Sequence, residues 1–299
     1  MTALRKFILA ALLIAISSPA AAQTDDAEKL KMSALEALIS APPERALPIV
    51  TKVLDGDSSV ALKERALFVL SQIELPEAQT RLIETARNGD ENIRQEAIRM
   101  IGIGGNPEAL ATLSGIYAAG DDDTKDAVLE AYLIADDKDA VYQLAVNSQD
   151  PEEFEDIVQT LGAMGATEEL RALRDRTGDA EALIHAYAVA GDVETLTALA
   201  TDGSNPERQA QAIHGLGIAG GSGVGDVLVE IYRSTDVPDV KDAALQGLMI
   251  ADEDEAVLEL FRASTDAAEK RELLQMLVNM DSDAVWEVID KTLENGNDL

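Results

Sequence analysis

The chain has 299 residues, a formal charge of −32 and no cysteine. Without cysteine it can form no disulfide, thiolate metal site, cysteine nucleophile or lipid-modified cysteine, so the fold must rest on its apolar core. The acidity opposes nucleic acid, whose phosphates need clustered Lys and Arg, and it opposes adsorption to anionic lipid.

Residues 1–22 read as a cleavable signal peptide rather than as fold. Arg5 and Lys6 precede an unbroken apolar run from Phe7 to Ile16, and Ala20-Ala21-Ala22 satisfies the small-residue rule for cleavage. The apolar run is too short to span a bilayer as a mature helix. Cleavage between Ala22 and Gln23 is expected, giving a periplasmic or secreted protein. No later segment is apolar enough to enter a membrane after that cleavage.

Residues 23–299 read as one domain built from a repeated helix pair. Ala34/Leu35/Leu38, Ala66/Leu67/Leu70, Ala97/Ile98/Ile101, Val128/Leu129/Tyr132 and Ile157/Val158/Leu161 are apolar triplets at helical spacing. Leu183/Ile184/Tyr187, Ala212/Ile213/Leu216, Ala244/Leu245/Leu248 and Leu273/Leu274/Leu277 continue the series. Successive triplets begin 32, 31, 31, 29, 26, 29, 32 and 29 residues apart, a period that marks a stacked array. Between them lie second stripes such as Leu170/Leu173, Leu196/Leu199, Leu228/Ile231 and Val257/Leu260.

The clearest unit is Ile93 to Leu113. Its first helix is stopped by Gly104-Gly105-Asn106-Pro107, because Gly accepts a left-handed cap and Pro cannot continue a helix. Ala109, Leu110, Leu113, Ile116 and Tyr117 then form the second stripe. Downstream, Val128–Val141 aligns without a gap on Ala244–Val257. Helices of about ten to twelve residues are marginal alone, so each pair must bury its stripes on its neighbours.

Arg94, Ala97, Ile98, Ile101, Gly102, Pro107, Ala109 and Leu110 form a pattern that resembles the HEAT-like repeat of the phycobilisome-lyase type. Ala212, Ile213, Leu216 and Gly217 carry a second, partial match. The resemblance implies an all-α fold, an α-solenoid of about nine stacked helix pairs in a curved or superhelical rod. It also implies use as an interaction surface or scaffold, although some relatives are chromophore lyases.

No motif for catalysis emerges, and the chain is expected to be non-enzymatic, with no cofactor. Gly215-Leu216-Gly217-Ile218-Ala219-Gly220 has the letters of a dinucleotide fingerprint, but no strand precedes it. His185 and His214 occupy one position in adjacent repeats and are expected to face solvent; no third ligand accompanies them, so no metal site is assigned. The acidic turns read as helix caps. Asp136, Asp137, Asp252 and Asp254 would nonetheless line one edge of the array, as a ridge for a basic protein or peptide or for loosely held Ca²⁺. Tyr142 and Trp286 sit one residue past a second-helix stripe, and both are candidate anchors for that partner. Trp286 lies in the last repeat and is equally suited to covering its open end.

Overall fold

The computed structural model describes residues 19–178, 181–281, 285, 286, 288–290 and 293, with side chains from residue 26 onward. Most of the expected signal peptide, residues 1–18, lies outside the described residues. Two compact units divide the chain between Gly104 and Gly105.

The first unit holds α1 (Pro19–Ala37), α2 (Pro43–Asp55), α3 (Val60–Ser71), α4 (Pro76–Asn88) and α5 (Glu91–Gly104). The second begins with α6 (Pro107–Ala119), α7 (Asp122–Ala135), α8 (Lys138–Asn147), α9 (Pro151–Ala163), α10 (Thr167–Thr177) and α11 (Glu181–Ala190). It continues through α12 (Val193–Thr201), α13 (Pro206–Ala219), α14 (Val224–Ser234), α15 (Pro238–Ile250), α16 (Asp254–Ala263) and α17 (Ala267–Asn279). There is no strand among the described residues.

Eight of the nine triplets fall wholly on odd-numbered helices, and the first begins on α1. Seven of these are buried throughout, as at Ala66/Leu67/Leu70 and Leu183/Ile184/Tyr187, and in the last only Leu274 is half-buried. The first triplet departs more: only Leu35 is buried, and Leu38 lies in a 3-10 turn, Leu38–Ser40. A terminal repeat has a neighbour on one side alone, so half its stripe has nothing to pack on. After α17, Val285 and Val288 are buried at the position of a second helix. The fold class is thus the expected HEAT-like α-solenoid of about nine helix pairs.

The turns are equally regular. Ile101, Tyr132, Leu161, Tyr187, Leu216, Leu248 and Leu277 close the triplets of α5, α7, α9, α11, α13, α15 and α17. Four residues after each stands a residue with positive φ: Gly105, Asp136, Gly165, Gly191, Gly220, Asp252 and Asp281. At four of these turns the following N–H turns back onto the helix end. Those of Asp137, Ala166, Asp192 and Glu253 donate to the carbonyls of Tyr132, Leu161, Tyr187 and Leu248 at 2.9–3.0 Å. This six-to-one bond satisfies carbonyls that the helix end would leave open. Asp136 and Asp252 therefore occupy a site that favours glycine. Asp136→Gly and Asp252→Gly should each raise stability by about 0.5–1 kcal/mol, seen as higher melting temperatures.

Side-chain caps open three of the second helices, α6, α8 and α12, and several first ones. Asn106, Asp121, Asp137, Asp150, Asp192, Asn205 and Asp266 each accept a hydrogen bond from a backbone N–H of the first turn. The acidic turns owe much of their composition to this task.

In the second unit the first helices α7, α9, α11, α13 and α15 pack each on the next, and the second helices pack on them as a parallel layer. Small residues set the spacing of the first layer. A Cβ on Gly217 would lie 2.8 Å from the Gly247 carbonyl oxygen, and one on Gly162 would lie 3.0 Å from that of Ala186. A Cβ on Gly215 would reach Ala188 and Leu196, on the opposite side of α13 from Gly247. The first two fingerprint-like glycines are thus packing residues, and the third, Gly220, ends α13 with φ 60° and ψ −161°.

Candidate functional site

Numbering each first helix from the last residue of its triplet as zero gives equivalent residues the same place. Position −2 is Glu130, Gln159, His185, His214 and Gln246 on α7, α9, α11, α13 and α15. It lies between the buried stripe and solvent, and both imidazoles are exposed, as their polar neighbours in the alignment implied.

Here α11, α13 and α15 form a groove of about 520 Å³. His185, His214 and Gln246 run along its middle. Glu181, Asp239 and Asp242 stand toward the N-terminal ends of the helices, and Ile218 stands toward the opposite end. Ile184, Ala188, Gly215 and Ala243 form a small, mostly buried floor. The depression exists because short side chains lie where longer ones would fill the space between helix ridges. Its lining contains three carboxylates and no Lys or Arg. Among the described residues no cluster of three His, Asp or Glu side chains converges as a metal site. No helix of the described residues is long and apolar enough to cross a membrane.

The sequence-expected anchors lie elsewhere. Tyr142 is half-buried on α8, and Trp286 is 56% exposed. Neither lines the groove, which belongs to the first helices rather than to the second-helix surface. Asp136 and Asp252 are exposed at their turns; Asp137 caps α8, and Asp254 is half-buried in the first turn of α16. The groove residues Glu181, Gln211, Ile218, Asp239 and Asp242 were not singled out from sequence. The available signal was the register: they share the first-helix outer face with the two histidines.

Polar networks join successive pairs. Arg171 on α10 grips Asp192 with both arms of its guanidinium, at 2.8 and 2.5 Å, and also reaches Glu194 at 2.9 Å. Asp192, whose side chain is 1% exposed, also accepts the Thr195 backbone N–H and hydroxyl. Burial alone would raise the Asp192 carboxyl, but the hydrogen bonds from Arg171 and Thr195 outweigh it and hold it below its ordinary range. The associated stability is complete above the unfolded carboxyl value of about 3.9 and is lost as pH falls through the lower folded value. Asp192→Ala should cost about 2 kcal/mol at pH 7. Melting curves of variant and parent should converge once the pH falls below the folded value.

A second network occurs twice. Tyr232 donates to Glu269 at 2.6 Å, Ser264 donates to the same carboxylate, and Lys241 lies 5.3 Å from the Tyr232 ring. Its counterpart joins Tyr117, Glu153, Ser148 and Lys125, with Lys125 Nζ 2.8 Å from Glu153. Burial, then the adjoining carboxylate, raises both phenols. These side chains fasten one repeat to the next.

Stacked helix pairs joined by positive-φ turns, with a groove on one helix layer, give a HEAT-type fold. Residues 47–132 match the family model for HEAT repeats. Among curated proteins none matches. Human deoxyhypusine hydroxylase in complex with glycerol is 17% identical, with TM-score 0.32, over 80% of this chain and 99% of that one. The CpcE–CpcF complex of phycocyanin lyase from a Nostoc species is also 17% identical, with TM-score 0.35, over 81% of this chain and 95% of that one. Both bear the names of enzymes. The expectation of a non-enzymatic chain is therefore withdrawn, because repeats of this kind do not exclude catalysis.

Proposed function

We propose that the chain is an exported HEAT-repeat scaffold, an assembly component of an envelope complex that holds a protein partner on its first-helix face. The carrying observation is the groove across α11, α13 and α15, where three successive repeats together bring three carboxylates, two imidazoles and an exposed aliphatic to one face. A partner seated there would touch several repeats at once, so modest contacts would add along the array. Export rests on Arg5, Lys6, the run Phe7–Ile16 and the small residues Ala20–Ala22. The acidic turn residues Asp136, Asp137, Asp252 and Asp254 would favour a basic partner at the edge, and Tyr142 and Trp286 would serve as secondary anchors.

A photo-crosslinking residue at His214, compared with one at Tyr142 and one at Trp286 in the producing cell, tests this reading. A discrete protein adduct from His214 is the expected result. Adducts from Tyr142 or Trp286 alone would move the binding face to the second helices. No adduct from any of the three would remove the scaffold reading. A catalytic second reading draws on the two imidazoles beside the groove's carboxylates; its mark would be turnover lost in His185→Ala with unchanged melting.

A further inference from the structure

The groove belongs to a larger surface with two parallel lanes. At position +2 stand Ile134, Val189, Ile218 and Ile250, with Ala163 in α9. All four large side chains are exposed, as are Leu133, Met249 and Val278 at position +1, by 37 to 49%. Among the described residues of the second unit, these account for seven of the ten exposed large hydrophobic side chains. Single exposed aliphatics are ordinary on a protein surface, but a concentration at one register is not.

At position −6 stand Asp126, Glu155, Glu181 and Asp242, with Ala210 in α13, and at −9 stand Asp123, Glu152, Glu207 and Asp239. Neutralisation within the layer is sparse. Helices α9 and α11 contain no Lys or Arg. After burial, the like charges of Asp156, Asp123 and Asp122 are what push the Asp126 carboxyl up. Eight residues separate the lanes along each helix, about 12 Å at 1.5 Å per residue. The polar −2 row, including His185 and His214, lies between them.

We propose that this face docks a cationic amphipathic helix of a protein partner, its aliphatic side on the +2 lane and its Lys and Arg side chains over the −6 and −9 lanes. The inference rests on the scaffold reading above and names its partner. Charge complementarity selects the occupant: a lipid or nucleic-acid surface would bring more negative charge to the acidic lanes, and so would a second copy of this chain. Dimensions agree as well. A helix is about 10–12 Å across with its side chains, close to the distance between lanes. Seven residues of it advance about 10.5 Å, near the 8–10 Å between neighbouring packed helices, so an aliphatic residue each heptad could meet each repeat in turn.

The test uses the purified full chain and a fluorescent synthetic helix of about 21 residues, roughly 30 Å long, with Leu along one face and Lys flanking it. Two control peptides share its length. One has the same composition shuffled so that no apolar face forms, and the other has Glu in place of Lys. The amphipathic Lys peptide should bind about tenfold tighter than the shuffled one, and the Glu peptide should not bind. Ile218→Ser with Val189→Ser should weaken binding about tenfold without changing the melting temperature, since both side chains are exposed. Glu181→Gln with Asp242→Gln should flatten its dependence on salt.

Equal binding of the shuffled peptide would reduce the surface to an undirected acidic field and overturn the proposal. Full binding by the serine variant would do the same. So would tight binding of the Glu peptide, or a parent dimer that the serine variant abolishes. None of these results would remove a protein adduct at His214, so the partner's class can fail while the scaffold reading stands.

Discussion

Leu216→Asp is expected to unfold the middle of the second unit. Leu216 is wholly buried at register zero of α13, where it closes the triplet with Ala212 and Ile213. Substitution removes its packing and places a carboxylate where neither water nor a cation is at hand. Loss of a buried leucine alone costs about 2–5 kcal/mol, and an unpaired buried acid adds to that. A total above about 5 kcal/mol approaches the stability of a whole domain. Ile218→Asp is the matched control, because it makes a like change two residues further along the same helix at an exposed position. It should change stability by only about 0.5 kcal/mol. Thermal melts followed by circular dichroism should show Leu216→Asp unfolding early or in two steps, with Ile218→Asp close to the parent. Similar melting of the two would mean that the repeat register is misplaced.

Gly217→Leu is the second large effect, and its cause is different. Gly217 faces Gly247 across the contact between α13 and α15, and even a Cβ would stand 2.8 Å from the Gly247 carbonyl oxygen and 2.9 Å from its Cα. Both obstacles are backbone, so relief requires the helices to separate rather than a side chain to swing. Overpacking of this kind costs about 1–3 kcal/mol, and a leucine between two backbones belongs at or above the upper end. Gly217→Ala should show the same effect in smaller measure. Gly104→Ala is the comparison, since nothing stands within 4 Å of a Cβ there. Denaturant melts of the three variants would rank them Leu, Ala at Gly217, then Ala at Gly104. Any other order would remove the close approach of α13 and α15 from the account.

The helix pairs were legible in the sequence because burial leaves a period. Each triplet must face inward on its own helix, and a stack repeats that demand at every pair. The turns were legible for a related reason, as Gly104-Gly105-Asn106-Pro107 and Asp150-Pro151 carry the chemistry of helix ends. The groove was less so. Tyr142 and Trp286 drew attention as aromatics beside polar neighbours, yet the groove formed on the other helix layer, out of small and charged residues. Its floor of Ala188, Gly215 and Ala243 is an absence of side chain, which has no signature apart from knowing which helices adjoin. Arg171 and Asp192 were missed for the same reason, since they meet only when α10 is set beside the cap of α12. The fingerprint-like glycines show the converse, in which a strong local pattern has a packing cause.

The most direct measurement of the central claim is oxidative footprinting of the chain, free and crosslinked to its partner, with modification read at individual side chains. The account predicts that Val189, Ile218 and Ile250 become protected together with His185 and His214, while Tyr142 and Trp286 change little. Protection of Tyr142 and Trp286 with the first-helix lane unchanged would contradict it.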